Sequence, residues 1–239
     1  MKVIFREGLA DYDSYSFGYS VLAQIEPQDS LSHVYNQGFL PYSSELDLPA
    51  DHCYLCRNVR VNLADFSFGS ENRRVGRKLG PLELTVTETS MDEFDTDDPV
   101  FRKFCKTYAE AKFSNKYLDD ARLDYMFSHA SGTDIATWKN ADGQPVAYVF
   151  LGQDQEIAHY WYAFYDLQLG QEFPLGKYLM QSSVKRAQEK GQKYMYLGTC
   201  YGTKPLYKIR DFSGVEYFTG QGWSADIQAL KALCYQDES

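Results

Sequence analysis

No apolar run in the 239-residue chain approaches the ~20 residues that span a bilayer as a helix, which excludes a helical membrane anchor from the reading. The opening stretch, MKVIFREGLADYDSYSFGY, lacks the long apolar centre and small-residue cleavage site of a secretory leader, so a cytoplasmic protein is the expectation. Cysteine is scarce: five residues, an odd number at irregular spacing, do not make a disulfide framework. Internal repeats and low-complexity linkers are absent, which removes solenoids and arrays. Positive charge is in deficit. A net charge of −9 and a pI of about 5.0 argue against indiscriminate nucleic-acid binding, which runs on phosphate neutralisation.

What is present is apolar and aromatic. Hydrophobic residues make up 44% of the chain, enough for one large domain or two small ones in close contact. Aromatics reach 16%, with 20 tyrosines, and such a surplus suits either a Tyr-rich core or a surface that binds through amphipathic rings. Charge is also unevenly spread. Arg57, Arg60, Arg73, Arg74, Arg77 and Lys78 face only Asp65 and Glu71 in their stretch, and between Lys185 and Arg210 every charged side chain except Glu189 is basic. The acidic excess lies elsewhere, notably in MDEFDTDDP (Met91–Pro99), so local basic surfaces sit on an acidic body.

The first ninety residues read as strand and loop. YSVLAQIE, NVRVNLADF and LELTVTET have strand character, and DSLSHVYNQGF reads as a helix capped by Asp29 or Ser30 and ended at Gly38. MDEFDTDDP then acts as a boundary, dividing an N-terminal strand-rich lobe (1–95) from a C-terminal domain (96–239). Asp97 or Asp98 caps a helix with Pro99 in its first turn, and a second helix follows over 117–130. Residues 134–166 form two or three strands with turns at Ala141–Gly143 and Gly152–Asp154. A helix starting at Pro174 and ending at Gly191 shows Gly176, Met180, Val184 and Ala187 as its packing stripe. The strands KYMYLGTCY and GVEYFTGQGW come after it.

Strand, strand, glycine-marked helix, strand is the order of the GNAT core. It predicts an α+β or α/β mixed sheet flanked by helices, resembling acyl-CoA N-acyltransferases. Such enzymes carry Arg/Gln-x-x-Gly-x-Gly/Ala at the start of the helix, where backbone N–H groups meet a pyrophosphate. Here the turn reads QLGQEFPLGKY, with only Gly176 in register and Pro174, which has no N–H, at a donor position. The scaffold is kept and the coenzyme A cradle is altered, which points to a different acyl donor.

Three blocks carry a more specific likeness: QGFLPYSSELDLPADHCYLCRNVRV, FSFGSENRRV, and PLGKYLMQSSVKRAQEKGQKYMYLG with YKIRDFSGVEYFTGQGW. In order and spacing, over roughly residues 36–223, the chain resembles the aminoacyl-tRNA–protein transferases, the arginyl- and leucyl-transferases of the N-end rule pathway, in their short bacterial form. The resemblance implies transfer of Leu or Arg from aminoacyl-tRNA to the α-amine of acceptor proteins beginning with Asp or Glu. Two departures stand out: Pro205-Leu206 replaces the family's Met-x before Tyr207-Lys208, and no third Cys follows Cys56. The rival readings are an acyl-CoA-dependent N-acyltransferase of the same fold and a non-catalytic reader of acidic N-termini.

The candidate site residues follow from these blocks. Tyr207 matches the family's Tyr before Lys and would donate to the ester carbonyl or relay a proton. His159 is the candidate histidine base, though a His beside aromatics is also a common structural residue. Asp166, at a strand end, would help hold a substrate amine. Arg57 and Arg60 are assigned to the acceptor's carboxylate and Arg73, Arg74 and Lys78 to RNA phosphates, against a plain solvated basic face. Lys204, Lys208 and Arg210, near Gly198, are assigned to the tRNA 3′ end, against an ordinary basic loop. Tyr42 and Ser43 belong to a substrate-lining loop or to a simple turn built on Pro41. In HYWYAFYD, strict alternation sends His159, Trp161, Ala163 and Tyr165 to one face and Tyr160, Tyr162, Phe164 and Asp166 to the other. One row would wall the aminoacyl pocket and the other would pack against helices. Cys53 and Cys56 have C-x-x-C spacing, but a zinc or iron–sulfur site needs further ligands, so an architectural pair and no cofactor are expected.

Overall fold

The computed structural model describes residues 1–11, 16–43, 47–113 and 118–238. The chain opens with a hairpin, β1 (Lys2–Asp11) and β2 (Ser16–Gln24). A short helix, α1 (Leu31–Asn36), follows; Ser30 is its cap, its side chain accepting from the His33 N–H. Next come β3 (Phe39–Pro41), β4 (His52–Leu55) and β5 (Asn58–Asn62). The basic run beyond β5 is helical. It forms α2 (Ser70–Leu79), which turns Asn72, Val75 and Leu79 inward and its arginines outward. β6 (Thr85–Ser90) leads to α3 (Pro99–Phe113), where the Asp98 carboxylate accepts from Val100 N–H at 2.8 Å. The second helix, α4 (Asp120–Ser128), is capped by Asp119; Tyr117, where it was expected to start, lies outside the described residues.

Three strands follow: β7 (Asp134–Lys139), β8 (Pro145–Gln153) and β9 (Ile157–Tyr165). Gly152 and Gln153 continue β8, so its turn falls at Asp154–Glu156, two residues later than the sequence implied. The Asp154 carboxylate accepts there from Glu156 and Ile157 N–H at 2.8 and 3.0 Å. α5 (Leu167–Glu172) leads to α6 (Leu175–Glu189), β10 (Tyr194–Thr199) and α7 (Tyr207–Arg210). β11 (Val215–Phe218), β12 (Trp223–Ser224) and α8 (Ile227–Gln236) complete the chain.

Two sheets result. A small antiparallel sheet has the order β1-β2-β4-β3. A large one runs β12-β11-β5-β10-β9-β8-β7-β6. Every neighbouring pair in the large sheet is antiparallel except β9 and β10, which α6 connects. The boundary expected near residue 95 is not a break between sheets. β5 and β6, both before it, are built into the large sheet among strands that come after it.

Helices cover both faces of this sheet, as a mixed sheet with two apolar faces requires. On one face α6 and α2 bury Val59, Val149, Leu179, Val184 and Met195. On the other, α3 and α4 pack Phe101, Leu123 and Met126 onto Ile135, Phe150 and Phe164. Beside that layer α1 and the small sheet enclose Tyr35, Ile157 and Tyr196. Each such fully buried side chain contributes roughly 1.5–3 kcal/mol relative to exposure.

The feature that positions the site is a gap. β9 and β10 pair only at Ile157–Tyr194, Ala158–Met195 and His159–Tyr196. Immediately beyond, each strand carries a bulge on its other side. Trp161 is the extra residue of β9 against β8, and Leu197 that of β10 against β5. A bulge bends its strand and increases local twist. Two of them at one level, on opposite flanks, draw β9 and β10 apart.

Candidate active site

The gap opens into a cleft of about 390 Å³. β9 contributes Tyr160, Trp161 and Tyr162, and β10 contributes Leu197. The first turns of α6 contribute Gly176 and Met180, and α7 contributes Tyr207 and Lys208. A second hollow of about 360 Å³ lies beside it against α3. It shares Tyr108 and Tyr165 with the cleft and has Asp166 on its rim.

Two cations line the cleft: Lys177, which pairs with Glu71 at 3.1 Å and Asp211 at 3.3 Å, and Lys208. The Lys208 Nζ donates to the Thr199 carbonyl at 3.0 Å. It lies 3.2 Å from where a Cβ on Gly198 (φ +88) would stand, so the bare glycine makes room for the ammonium. Among the described residues no carboxylate is paired with it. Burial lowers its pKa from 10.5 to about 8, against a smaller opposing effect of the Cys200 and Cys56 thiols. The hydroxyls nearby are pushed the other way: burial raises the phenols of Tyr160 and Tyr207, so both remain protonated donors at neutral pH. Tyr162 shares a 3.0 Å hydrogen bond with Ser43 Oγ, which ties the GFLPYS segment to the cleft wall. Tyr42, next to it, packs at a tilt against Tyr54, 5.0 Å between ring centroids.

The bulge at Trp161 overturns the expected alternation of HYWYAFYD. One extra residue reverses facing for everything beyond it. Tyr160, Ala163 and Tyr165 now pack toward the α6 layer, while Tyr162 and Phe164 belong to the α3–α4 layer. His159 lies on the far side of the sheet from α6. It is 2% exposed, its ring meets Tyr35 edge-on at 5.4 Å, and burial lowers its pKa to about 3. It does not line the cleft. Asp166 caps α5, accepting from Leu169 N–H at 2.8 Å.

Gly176 sits against Tyr165. A Cβ there would be 3.1 Å from that ring and its hydroxyl. The start of α6, where this fold meets a pyrophosphate, is therefore occupied by a side chain of the protein itself, and Pro174 stands at its cap.

The basic residues divide. Arg60 is 5% exposed and sandwiched between Tyr194 and Trp223, 3.6 and 3.8 Å from their ring centroids. Its donors reach Glu216 at 2.8 Å, Asn36 at 2.7 Å and Tyr196 at 3.2 Å, so the guanidinium is committed inside the fold, away from the cleft. Arg57 lies over Tyr201, bonds the Cys200 carbonyl at 2.8 Å and pairs with Asp237. Arg73 and Arg74 are on the exposed side of α2. Arg74 is held bidentately by Glu71 at 2.7 Å, and Arg73 donates to the Phe68 carbonyl at 2.5 Å. Lys204 is exposed, and Arg210 pairs with Asp211 at 3.0 Å on the surface. Of the residues singled out in the sequence, the cleft gathers Tyr160, Tyr162, Gly176, Tyr207 and Lys208, with Gly198 behind and Ser43 alongside.

Cys53 and Cys56 are buried free thiols, each pushed up to about 12 by burial. Cys53 Sγ faces Ser131 Oγ at 3.7 Å and Cys56 Sγ faces the Gly38 carbonyl at 3.9 Å. Among the described residues no group of three or more His, Cys, Asp or Glu side chains is arranged to hold a metal ion. No described helix is long and apolar enough to cross a membrane.

The sequence reading missed Trp161 and Leu197 as bulge residues, and Tyr108, Tyr165, Lys177 and Met180 as cleft walls. A signal was available for Met180 alone, one turn after Gly176 on the same helix face.

Residues 70–208 match the acetyltransferase (GNAT) domain family. Among curated proteins, the chain is 28% identical over 220 residues to the aspartate/glutamate leucyltransferase of Phenylobacterium zucineum, covering 88% of this chain and 81% of that protein. The enzyme of the same name from Parvibaculum lavamentivorans is 28% identical over 184 residues, covering 73% and 72%. Among solved structures, L-PGS from Bacillus licheniformis aligns with a TM-score of 0.52 at 12% identity, over 90% of this chain and 71% of that one. FemX aligns at 0.50 and 11% identity, over 84% and 69%. These two likenesses bear on the fold alone.

Proposed function

This chain belongs to the acetyltransferase (GNAT) domain family, and on that premise we propose that it transfers leucine from aminoacyl-tRNA to the α-amine of polypeptides that begin with Asp or Glu. The name shared by its curated relatives supports that substrate pair. The observation that carries leucine over arginine is the lining of the cleft. Its walls are mostly aromatic and apolar, its cations are Lys208 and the Lys177 that Glu71 and Asp211 hold from outside, and no carboxylate lines it. A guanidinium side chain would meet an ammonium with nothing to neutralise it, whereas a branched apolar side chain meets Met180, Leu197 and aromatic rings. A donor other than coenzyme A is supported by Tyr165, which fills the space Gly176 leaves at the start of α6.

In the proposed reaction the acceptor amine nitrogen attacks the ester carbonyl carbon and the carbon–ribose oxygen bond breaks. The proton released by the amine ends on the ribose hydroxyl of the departing tRNA. The ester is already activated, so the protein has mainly to align two substrates and face the developing oxyanion with donors. Lys208 and Tyr207 are the donors in this reading. An α-amine of pKa about 7.7–8.0 is substantially neutral near physiological pH, so a strong protein base is not required and no cofactor is called for. RNA phosphates would meet the exposed outer face of α2, where Arg77 and Lys78 stand beside Arg73, and the exposed Lys204.

The test incubates the protein with radiolabelled Leu-tRNA or Arg-tRNA and peptides beginning with Asp, Glu or Ala. Label from Leu-tRNA is expected on the Asp and Glu peptides. Label from Arg-tRNA alone would refute the leucine assignment. Transfer from neither, with stabilisation by acetyl-CoA, would replace this reading by the acyl-CoA one.

A further inference from the structure

The loop after β10 forms an anion cradle, and the chain fills it with its own carboxylates. Beyond α8, Asp237 and Glu238 lie over residues 200–203. Asp237 accepts from Gly202 N–H at 2.7 Å and from the Arg57 guanidinium. Glu238 accepts from Thr203 N–H and from Thr203 Oγ, both at 2.7 Å. Gly202 is left-handed (φ +67) and Thr203 right-handed (φ −86, ψ −24). That sequence of conformations turns successive N–H groups toward one concavity, the geometry of an anion-binding nest. A Cβ on Gly202 would lie 3.1 Å from the Glu238 carboxylate, so the missing side chain is what admits the anion.

Arg57 is fixed for the task by Tyr201, 4.5 Å below it, and by the Cys200 carbonyl. Both acids are held below the usual carboxylate range, Asp237 first by the Gly202 N–H and Glu238 first by the Thr203 N–H. The cradle follows the cleft directly along the chain. Leu197 lines the cleft and Thr199 accepts from Lys208, a few residues before the nest.

We infer that Arg57, Gly202 and Thr203 form the receptor for the side-chain carboxylate of an acidic N-terminal residue, and that Asp237–Glu238 occupy it as an internal stand-in. An incoming acidic polypeptide must displace them. The identity of that polypeptide as the acceptor rests on the function proposed above; the occupancy and its release do not.

Fluorescence anisotropy with labelled peptides beginning with Asp or with Ala, and no tRNA, tests this in the full chain. The isosteric pair Asp237→Asn and Glu238→Gln is expected to tighten binding of the Asp peptide by about threefold or more, because affinity recovers the fraction of cradles previously occupied. The Ala peptide should not respond. Arg57→Gln should weaken the Asp peptide. Should the double substitution unsettle α8, Glu238→Gln alone gives the same response at smaller amplitude, since that carboxylate meets only the nest. Unchanged Asp-peptide affinity in a variant with a native melting curve overturns the inference. So does a gain confined to an acceptor-stem RNA hairpin, which would make the cradle a phosphate site. Tighter peptide binding without leucine transfer would leave this inference standing and remove the proposed function; transfer with unchanged peptide affinity would do the reverse.

Discussion

Replacing Lys208 with Met should make the protein more stable and nearly inactive. The change keeps the unbranched stem and removes the ammonium. Burial lowers the Lys208 pKa from 10.5 to about 8, which corresponds to a cost of roughly 3 kcal/mol at about 1.4 kcal/mol per tenfold change in proton affinity. Part of the stem remains at the cleft mouth, where water weakens the effect. The bond to the Thr199 carbonyl, worth about 1 kcal/mol, is lost as well. A net gain of about 1–2 kcal/mol at pH 7 remains. The folded chain holds this proton less tightly than the unfolded chain, so between pH 8 and 10.5 the unfolded state binds more protons and stability rises with pH. Below pH 8 the cost is present in full. Urea denaturation at pH 7 and pH 10 reads this by difference: the buried thiols of Cys53 and Cys56, pushed up to about 12, lose stability above pH 9 alike in both proteins, so the advantage of Lys208→Met over the wild type at pH 7 should shrink toward pH 10. Leucine transfer should fall by about 10²-fold, the usual loss for one oxyanion donor. A variant that is less stable than the wild type at pH 7, or whose advantage is as large at pH 10 as at pH 7, would refute the placement of a charged Lys208 in the cleft. Retained transfer would refute its role there.

Arg60→Ala should act on folding rather than on substrate choice. It leaves the Glu216 carboxylate without its partner and empties the space between Tyr194 and Trp223. A loss of about 3 kcal/mol in chemical denaturation is expected, and a selective defect with acidic peptides at unchanged stability would contradict it. Gly176→Ala should leave stability within about 1 kcal/mol, because the gain in helix propensity offsets the contact. It should still raise the KM for aminoacyl-tRNA, since the Cβ forces the Tyr165 ring to move; an unchanged KM would show that this ring does not shape the donor site.

The helices and strands were legible where local chemistry decides them. Ser30 and Asp98 act at helix starts as their side chains require, and the strand-helix-strand order around α6 identified the fold. The basic run from Arg73 to Lys78 was read as a patch and is one side of an amphipathic helix, whose buried side consists of Asn72, Val75 and Leu79. Asn72 hid this pattern: a polar residue occupies the buried face because Gln181 bonds it from α6, at 3.3 and 3.1 Å. The aromatic strand failed for another reason. Period-2 alternation is a property of a regular ladder, and a bulge is set by the neighbouring strand's register, which no single stretch of sequence encodes. Hence His159, correctly seen as a residue among aromatics, was placed on one face with Ala163 and Tyr165 and lies on the other, against Tyr35. Arg60 was likewise given a free guanidinium because Glu216 is 156 positions distant along the chain.

The same irregularity explains why chemistry concentrates in one short segment. Once β10 leaves β9 at Leu197, its backbone has no ladder partner on that side, and the carbonyls beyond are available to side chains. Lys208 takes the Thr199 carbonyl from the cleft side and Arg57 takes the Cys200 carbonyl from the other. Two cations are therefore oriented by consecutive peptide groups, one toward the cleft and one toward the nest at Gly202–Thr203. A carboxylate seated in the nest draws on Arg57, and through Cys200 it restrains the peptide next to the one that holds Lys208. In an acidic chain these two cations are gathered around one loop, while Asp97, Asp120 and Asp124 gather around Arg102 and Lys106 at α3 and α4.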